Sequence, residues 1–239
     1  MTLNPKLDPS CVLCLPFEEA DGSIAYDQSL YNNNGTIYGA TRTLGKIRKA
    51  LYFDGVDDYV EIPNSDSLNS PKNSITISLW ANPSEVEEFV DRFLFVSGYG
   101  FYSRVMKWVN TRQVVFGLGD TDNNYHFLTS TSFLEVGKWW YIACLYDGSK
   151  MMIFVNGELN SVGSTDVFTI DLTHGQSAFL SLSSNSFFGL IDEVRIYNRA
   201  LSAKEIYEHY IYGIQSIRRG PIPKFRKDIR RKFWPEISV

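Results

Sequence analysis

Phe188-Gly-Leu-Ile-Asp-Glu-Val-Arg-Ile-Tyr-Asn-Arg-Ala-Leu-Ser202 is a strand that hands the chain to a helix. Leu190, Asp192, Val194 and Ile196 alternate with Ile191, Glu193, Arg195 and Tyr197, the period of two that a β-strand imposes. On that pattern the neighbouring acids Asp192 and Glu193 are expected on opposite faces. After Asn198-Arg199 a short helix is expected, with Ser202 as its N-cap and Glu205 completing a capping box. A late strand leading into one closing helix reads as the last piece of a sheet being locked in place.

Upstream, short apolar or alternating segments recur between clusters of Gly, Asn, Asp and Ser. They are Val12–Phe17, Thr36–Tyr38, Ala50–Phe53, Tyr59–Ile62, Ser74–Ala81, Phe93–Ser97, Phe101–Trp108, Gln113–Leu118, Tyr125–Ser130, Trp139–Tyr146, Met151–Val155 and Ala178–Ser183. Asp54-Gly55, Asp147-Gly148 and Asn156-Gly157 are hairpin turn signals. Ser84–Asp91 reads as a brief helical turn. So many short strands with almost no helix predict an all-β fold, an antiparallel β-sandwich with one short C-terminal helix. We divide the chain into a body, 1–213, and a basic, proline-containing arm, 214–239.

Composition bounds the rest. The chain has 239 residues, 44 % hydrophobic and 15 % aromatic, enough apolar side chain for a substantial core. No apolar run reaches the roughly 18 residues of a membrane-spanning helix. The N-terminus lacks the basic-then-apolar layout of a signal peptide, so the expectation is either a mature chain with a new initiator Met or a chain made and used without classical secretion. Cys11, Cys14 and Cys144 cannot all pair; Cys11 and Cys14, three apart in a strand, are expected on opposite faces as small buried hydrophobes. The net charge of −4 hides an asymmetry: the arm carries +6 and the body −10.

Leu51-Tyr-Phe-Asp-Gly-Val-Asp-Asp-Tyr-Val60, Ile75-Thr-Ile-Ser-Leu-Trp80, Gly137-Lys-Trp-Trp-Tyr-Ile-Ala143, Tyr146-Asp-Gly148 and Phe154-Val-Asn-Gly-Glu-Leu159 follow one another in order. Together with the opening stretch they resemble the laminin-G-like jelly roll of the concanavalin A-like lectin/glucanase superfamily, over roughly Cys11 to Tyr210. The resemblance implies two curved antiparallel sheets. It leaves function open, because that superfamily holds lectins, hydrolases, adhesion modules and structural proteins.

Its glucanases carry a Glu-x-Asp-x-x-Glu strand, and no such run occurs here; two carboxylates at a set separation are what glycoside hydrolysis needs. We therefore expect no enzyme. The resemblance also implies a calcium site between the early loop and the final strand, at Asp27, Asn32, Asn34 and Asp192; the alternative is that these residues form turns. Gly119-Asp-Thr-Asp-Asn-Asn124, a weaker calcium candidate, reads as a hairpin loop, and Asp57-Asp58 as a tight turn. Similar lectins place ligands near the middle strands, where Tyr99, Tyr102, Trp108 and Tyr125 are candidates for stacking on sugar.

In the arm, Gly220-Pro221-Ile222-Pro223 is a linker signal, and Phe225, Ile229 and Phe233 recur every four residues among Arg218, Arg219, Arg226 and Arg230. Burying these apolar side chains and Trp234 would stabilise a docked arm by roughly 1.5–3 kcal/mol each. The expected partners are other protein subunits of a larger assembly, a second copy included, ahead of nucleic acid or an anionic membrane. Domains of this resemblance are common in viral structural proteins. The leading expectation is thus a structural or attachment protein of a virion, a capsid decoration or tail component held by its arm. The second is a calcium-stabilised carbohydrate-binding module, extracellular or on a cell surface.

Overall fold

The computed structural model describes residues 4–84, 92–97, 112–171, 176–182 and 186–215, and the backbone of 104–108. The strands are β1 (Cys11–Leu15), β2 (Ile24–Ala25), β3 (Gly35–Tyr38), β4 (Thr41–Leu44), β5 (Lys49–Asp54), β6 (Tyr59–Ile62), β7 (Ile75–Pro83) and β8 (Arg92–Ser97). They continue as β9 (Arg104–Trp108), β10 (Val114–Gly119), β11 (Tyr125–Thr129), β12 (Trp140–Tyr146), β13 (Lys150–Val155), β14 (Glu158–Ser164), β15 (Ala178–Leu180) and β16 (Phe188–Tyr197). Helix α1 (Ala203–Gln215) follows.

All pairings between these strands are antiparallel, in two eight-stranded sheets. The first runs β14-β13-β12-β7-β16-β5-β4 with β1 also paired to β16; the second runs β11-β10-β9-β8-β15-β6-β3-β2. Alternation fills the space between them. Ile75, Ile77 and Leu79 of β7 and Ile142 and Cys144 of β12 meet Val60, Ile62, Phe95, Val114 and Phe116 from the other sheet in one apolar core. The expected sandwich is therefore present, and the capping box is too. Glu205 accepts the Ser202 N–H at 2.7 Å, while the Ser202 hydroxyl accepts the Glu205 N–H at 3.3 Å.

Two of the register shifts in the body lie on the paired strands β1 and β16 and change which side chains face the core. In β16 the register shifts between Asp192 and Arg195, and Glu193 takes a left-handed φ of 51°. Ile191, Val194 and Ile196 all reach the core, whereas Asp192 pairs with Trp80 and Glu193 joins Arg195 on the outer face. The expectation that Asp192 and Glu193 face opposite sides is thus corrected: an extra residue turns both outward. In β1 the shift falls between Cys11 and Leu13, so Cys11 and Cys14 share the outer face while Val12, Leu13 and Leu15 enter the core. Their expected opposition fails for the same reason. All three cysteines are buried free thiols.

Helix α1 covers this outer face. Ile206, His209 and Gly213, spaced by three and four, are its buried positions. They pack with Trp80, Tyr141, Phe154, Tyr197 and Leu201 in a second apolar layer. The segments β2, β4 and β14 are strands that periodicity alone did not single out; the Asn156-Gly157 turn, with φ of 51° and 82°, delivers β14. The helical turn expected over 84–91 falls almost wholly outside the described residues.

Candidate functional site

The outer face of the second sheet has no helix among the described residues, and its register lines up aromatic side chains. Tyr38 pairs with Tyr59, and Glu61 with both Thr36 and Phe179. Because antiparallel partners share a face, Tyr38, Tyr59, Glu61 and Phe179 all point away from the core. The Tyr38 and Tyr59 rings stack with centroids 4.6 Å apart, and Phe179 lies 6.1 Å from Tyr59. Tyr38 is 42 % exposed. Glu61 accepts a hydrogen bond from the Ser177 hydroxyl at 2.8 Å, which holds the carboxylate beside the rings. Burial, then Tyr38 and Glu61, push the Tyr59 phenol upward, so it stays a neutral donor and acceptor at physiological pH. Phe93, Val96 and Leu182 form a small apolar cluster against Phe179.

At the other edge of this sheet Tyr125 and Phe127 stack at 6.2 Å and are 41 % and 59 % exposed. Phe127 lies over Gly117, where a Cβ would sit 2.6 Å from the ring. Below them Asp120 accepts from the Asp122 and Asn124 amides and meets His126 Nε2 at 2.9 Å. Burial opposes ionisation there, but these hydrogen bonds prevail and hold Asp120 at about 2. The hairpin loop expected there is present between β10 and β11, braced by that carboxylate.

Of the sugar-stacking candidates, Tyr125 stands on this outer face. Trp108 in β9 is paired with Val114 of β10, and its side chain lies outside the described part of the structure. Tyr99 and Tyr102 are outside the described residues. Tyr38, Tyr59, Phe127 and Phe179 were missed. Tyr59 carried a readable signal, since Tyr59-Val60-Glu61-Ile62 alternates and Val60 and Ile62 had to be inward.

The four calcium candidates do not converge. Asp27 Oδ1 accepts the Cys14 and Ser29 amides, and its Oδ2 accepts the Asn33 amide and the Ser29 hydroxyl, all within 2.9 Å. Asn34 Oδ1 accepts the Asp27 N–H at 2.9 Å, and Asn32 is a turn residue with φ of 56°. Asp192 serves a different loop: its Oδ2 accepts the Ile47 N–H at 2.8 Å, and its Oδ1 is buried without a partner. Burial raises Asp192 to about 8, against the Ile47 bond and with Glu193 and Glu18 adding to the rise. A hard cation needs six or more free oxygens, and this arrangement turns those of Asp27 and Asn34 to backbone amides. The donor set does not fit the ion.

Among the described residues, the group of three acids closest together is Asp54, Asp57 and Asp58, with ligand atoms within 4.8 Å. Asp58 accepts the Asp54 N–H and Asp54 accepts the Val56 N–H, so two of the three brace their own hairpin, as the turn reading expects. Arg218, Arg219, Phe225, Arg226, Ile229, Arg230, Phe233 and Trp234 of the arm lie outside the described residues.

Beneath α1 lies a polar group enclosed by the second apolar layer. Arg195 and Glu193 form a buried ion pair at 2.7 Å, and His209 Nδ1 is 3.4 Å from the Tyr141 hydroxyl. Lys46 Nζ sits 4.4 Å over the Trp80 ring. The cysteine thiols are far from ionising, burial pushing Cys11 up to about 12.

The chain belongs to the concanavalin A-like lectin/glucanases superfamily: residues 54–207 match its laminin-G-type family model. Human (Homo sapiens) pappalysin-1 is 23 % identical over an alignment of 193 residues, gaps counted, that covers 70 % of this chain and 11 % of pappalysin-1. The binding domain of Paraclostridial Mosquitocidal Protein 1 superposes with a TM-score of 0.71 at 16 % identity, covering 84 % of this chain and 52 % of that one. Domain 4 of AbnA, an extracellular arabinanase of Geobacillus stearothermophilus solved with arabinotriose, gives 0.63 at 19 % identity and covers 83 % and 97 %. These likenesses establish the fold. The chain spans about a tenth of pappalysin-1 and about half of the mosquitocidal binding domain.

Proposed function

We propose that this domain is a non-enzymatic glycan-recognition module that reads its ligand on the outer face of the second sheet. The observation that carries it is the outward set Tyr38, Tyr59 and Phe179 beside the anchored Glu61. Aromatic faces stack on the apolar side of a pyranose or furanose ring, and a carboxylate fixed beside them accepts from sugar hydroxyls. Among the described strand positions of that face Glu61 is the one acid, which argues against hydrolysis by a carboxylate pair. Binding domains recur among the similar folds, and the arabinanase domain was solved with a trisaccharide. A glycan array followed by calorimetry tests the reading. Tyr59→Ala should weaken a millimolar-or-better ligand by at least about tenfold, roughly the stacking contribution of one aromatic ring, while the variant still unfolds cooperatively in urea. No bound glycan, or binding indifferent to Tyr59 and Tyr38, would refute it.

The charge asymmetry of +6 in 214–239 against −10 in 1–213 favours an addition: the arm anchors the module in a larger assembly, with a virion as the setting expected from sequence. Truncation after Gln215, the last residue of α1, should leave glycan binding intact and abolish incorporation. Incorporation of the truncated chain would sink the anchoring role.

A further inference from the structure

His209 is the polar member of the buried stripe on α1, between Ile206 and Gly213. It looks down on the outer face of the first sheet. A cavity of about 10 Å³, water-sized, lies there between Trp80, Tyr141, Glu193, Arg195, His209 and Tyr212. We propose that His209 makes α1 an acid-sensitive latch: neutral, it seats the helix on the first sheet, and protonated, it releases it.

The groups that face the imidazole decide this. From β16 come the Arg195 guanidinium and Glu193, already paired with each other at 2.7 Å, and the Tyr197 ring at 5.8 Å. From β12 comes the Tyr141 hydroxyl at 3.4 Å. Cys11 and Cys14 of β1 belong to the same layer and are neutral thiols, held so by burial. The acids whose charge reaches it from the helix and the N-terminal segment are Glu205 and Asp8, and both are bound to Arg199, at 2.7 and 3.1 Å. A proton on His209 would thus create a second buried cation beside Arg195, with every neighbouring carboxylate already engaged. Burial first, and Arg195 second, hold the imidazole down at about 3, against 6.5 ordinarily.

The sign follows from linkage. A base whose pKa is lower in the docked than in the released state binds protons preferentially when released. Docking is therefore at full strength above pH 6.5 and weakens as pH falls toward 3, by up to about tenfold per pH unit. The core between the sheets is apolar and separate from this layer, so the helix can open while the sandwich persists.

Hydrogen exchange read by mass spectrometry on the full chain tests the latch. Between pH 6.5 and 4.5 the protection of peptides covering 203–215, corrected for intrinsic exchange, should fall about fiftyfold. Peptides of β5, β7 and β12 should keep theirs. His209→Gln should remove the pH dependence of the helix. Unchanged protection in the wild type, or the same fall in the variant, would overturn the proposal. Should the variant fail to fold, the His209 resonance decides: titration near 6.5 with the helix still protected is fatal to it.

Discussion

Gly213→Ala is the substitution for which two physical arguments predict opposite signs. Alanine is the better helix former by about 1 kcal/mol, so propensity alone predicts stabilisation. The packing predicts the reverse. A Cβ at 213 would lie 2.5 Å from Cζ2 and Nε1 of Trp80 and 2.6 Å from its Cε2. Ordinary carbon contacts begin near 3.5 Å, so the helix or the indole must move by about 1 Å. The indole has little freedom: Trp80 is 1 % exposed, with Tyr141 at 5.4 Å, Tyr210 at 5.8 Å and Lys46 over its ring. Overpacking costs ~1–3 kcal/mol, a contact this short against a pinned ring falls in the upper part, about 2–3, and the propensity gain offsets about 1 of it. The expected net loss is ~1–2 kcal/mol, or about 2–8 °C in melting temperature for a domain of this size. Urea denaturation at pH 7 reads it directly. Combining the change with Trp80→Phe, which removes the contacted atoms, should recover part of the loss through a coupling term. Equal or greater stability in Gly213→Ala would show that α1 does not seat on Trp80 as described.

Two further changes probe neighbouring features. Glu205→Ala removes the acceptor for the Ser202 amide and hydroxyl and a partner of Arg199, and should cost ~1–2 kcal/mol in a thermal melt. Burial would raise the Glu205 carboxyl, but the Arg199 and Ser202 hydrogen bonds outweigh it and hold it at about 2, so its contribution is complete above pH 4.5 and fades as pH falls toward 2. Wild type and variant should therefore converge in acid; a gap that persists at pH 2 contradicts this. Asp192→Asn keeps an oxygen for the Ile47 amide while removing a charge from a fully buried site. Because the folded carboxyl sits at about 8, above the ordinary 3.8, its stability is complete below about pH 4 and is lost as pH rises. The variant should be more stable than wild type at pH 9, by at most roughly 6 kcal/mol, and the difference should vanish near pH 4. Calcium should move neither protein, and a calcium-dependent rise in the wild type alone would assign Asp192 to a cation.

Strand existence was legible wherever alternation was unbroken: Tyr59–Ile62 was placed to the residue, and the Ser202–Glu205 cap formed as its side-chain spacing required. What the sequence concealed was phase. A bulge adds one residue without changing composition, so Cys11-Val-Leu-Cys14 and Asp192-Glu193 look like ordinary strand until a partner strand fixes the count. The site was hidden differently. Tyr38, Tyr59 and Phe179 are far apart in sequence and become neighbours only because β3, β6 and β15 are adjacent. Local periodicity shows that Tyr59 faces outward, but strand order decides what it faces outward with.

The strand read first, β16, lies in the interior of its sheet, between β7 and β5 and paired also to β1. A chain synthesised from its N-terminus thus reaches residue 187 with the first sheet split, β5 and β7 each lacking a neighbour along one edge. Those open edges must remain unpaired until residues 188–197 leave the ribosome, a lag of roughly 5–25 s for the chain between β5 or β7 and β16 at ordinary elongation rates. The long-range closure that follows favours late, slow folding. Expression yield should accordingly depend more on what protects these edges during synthesis than on the stability of the finished domain.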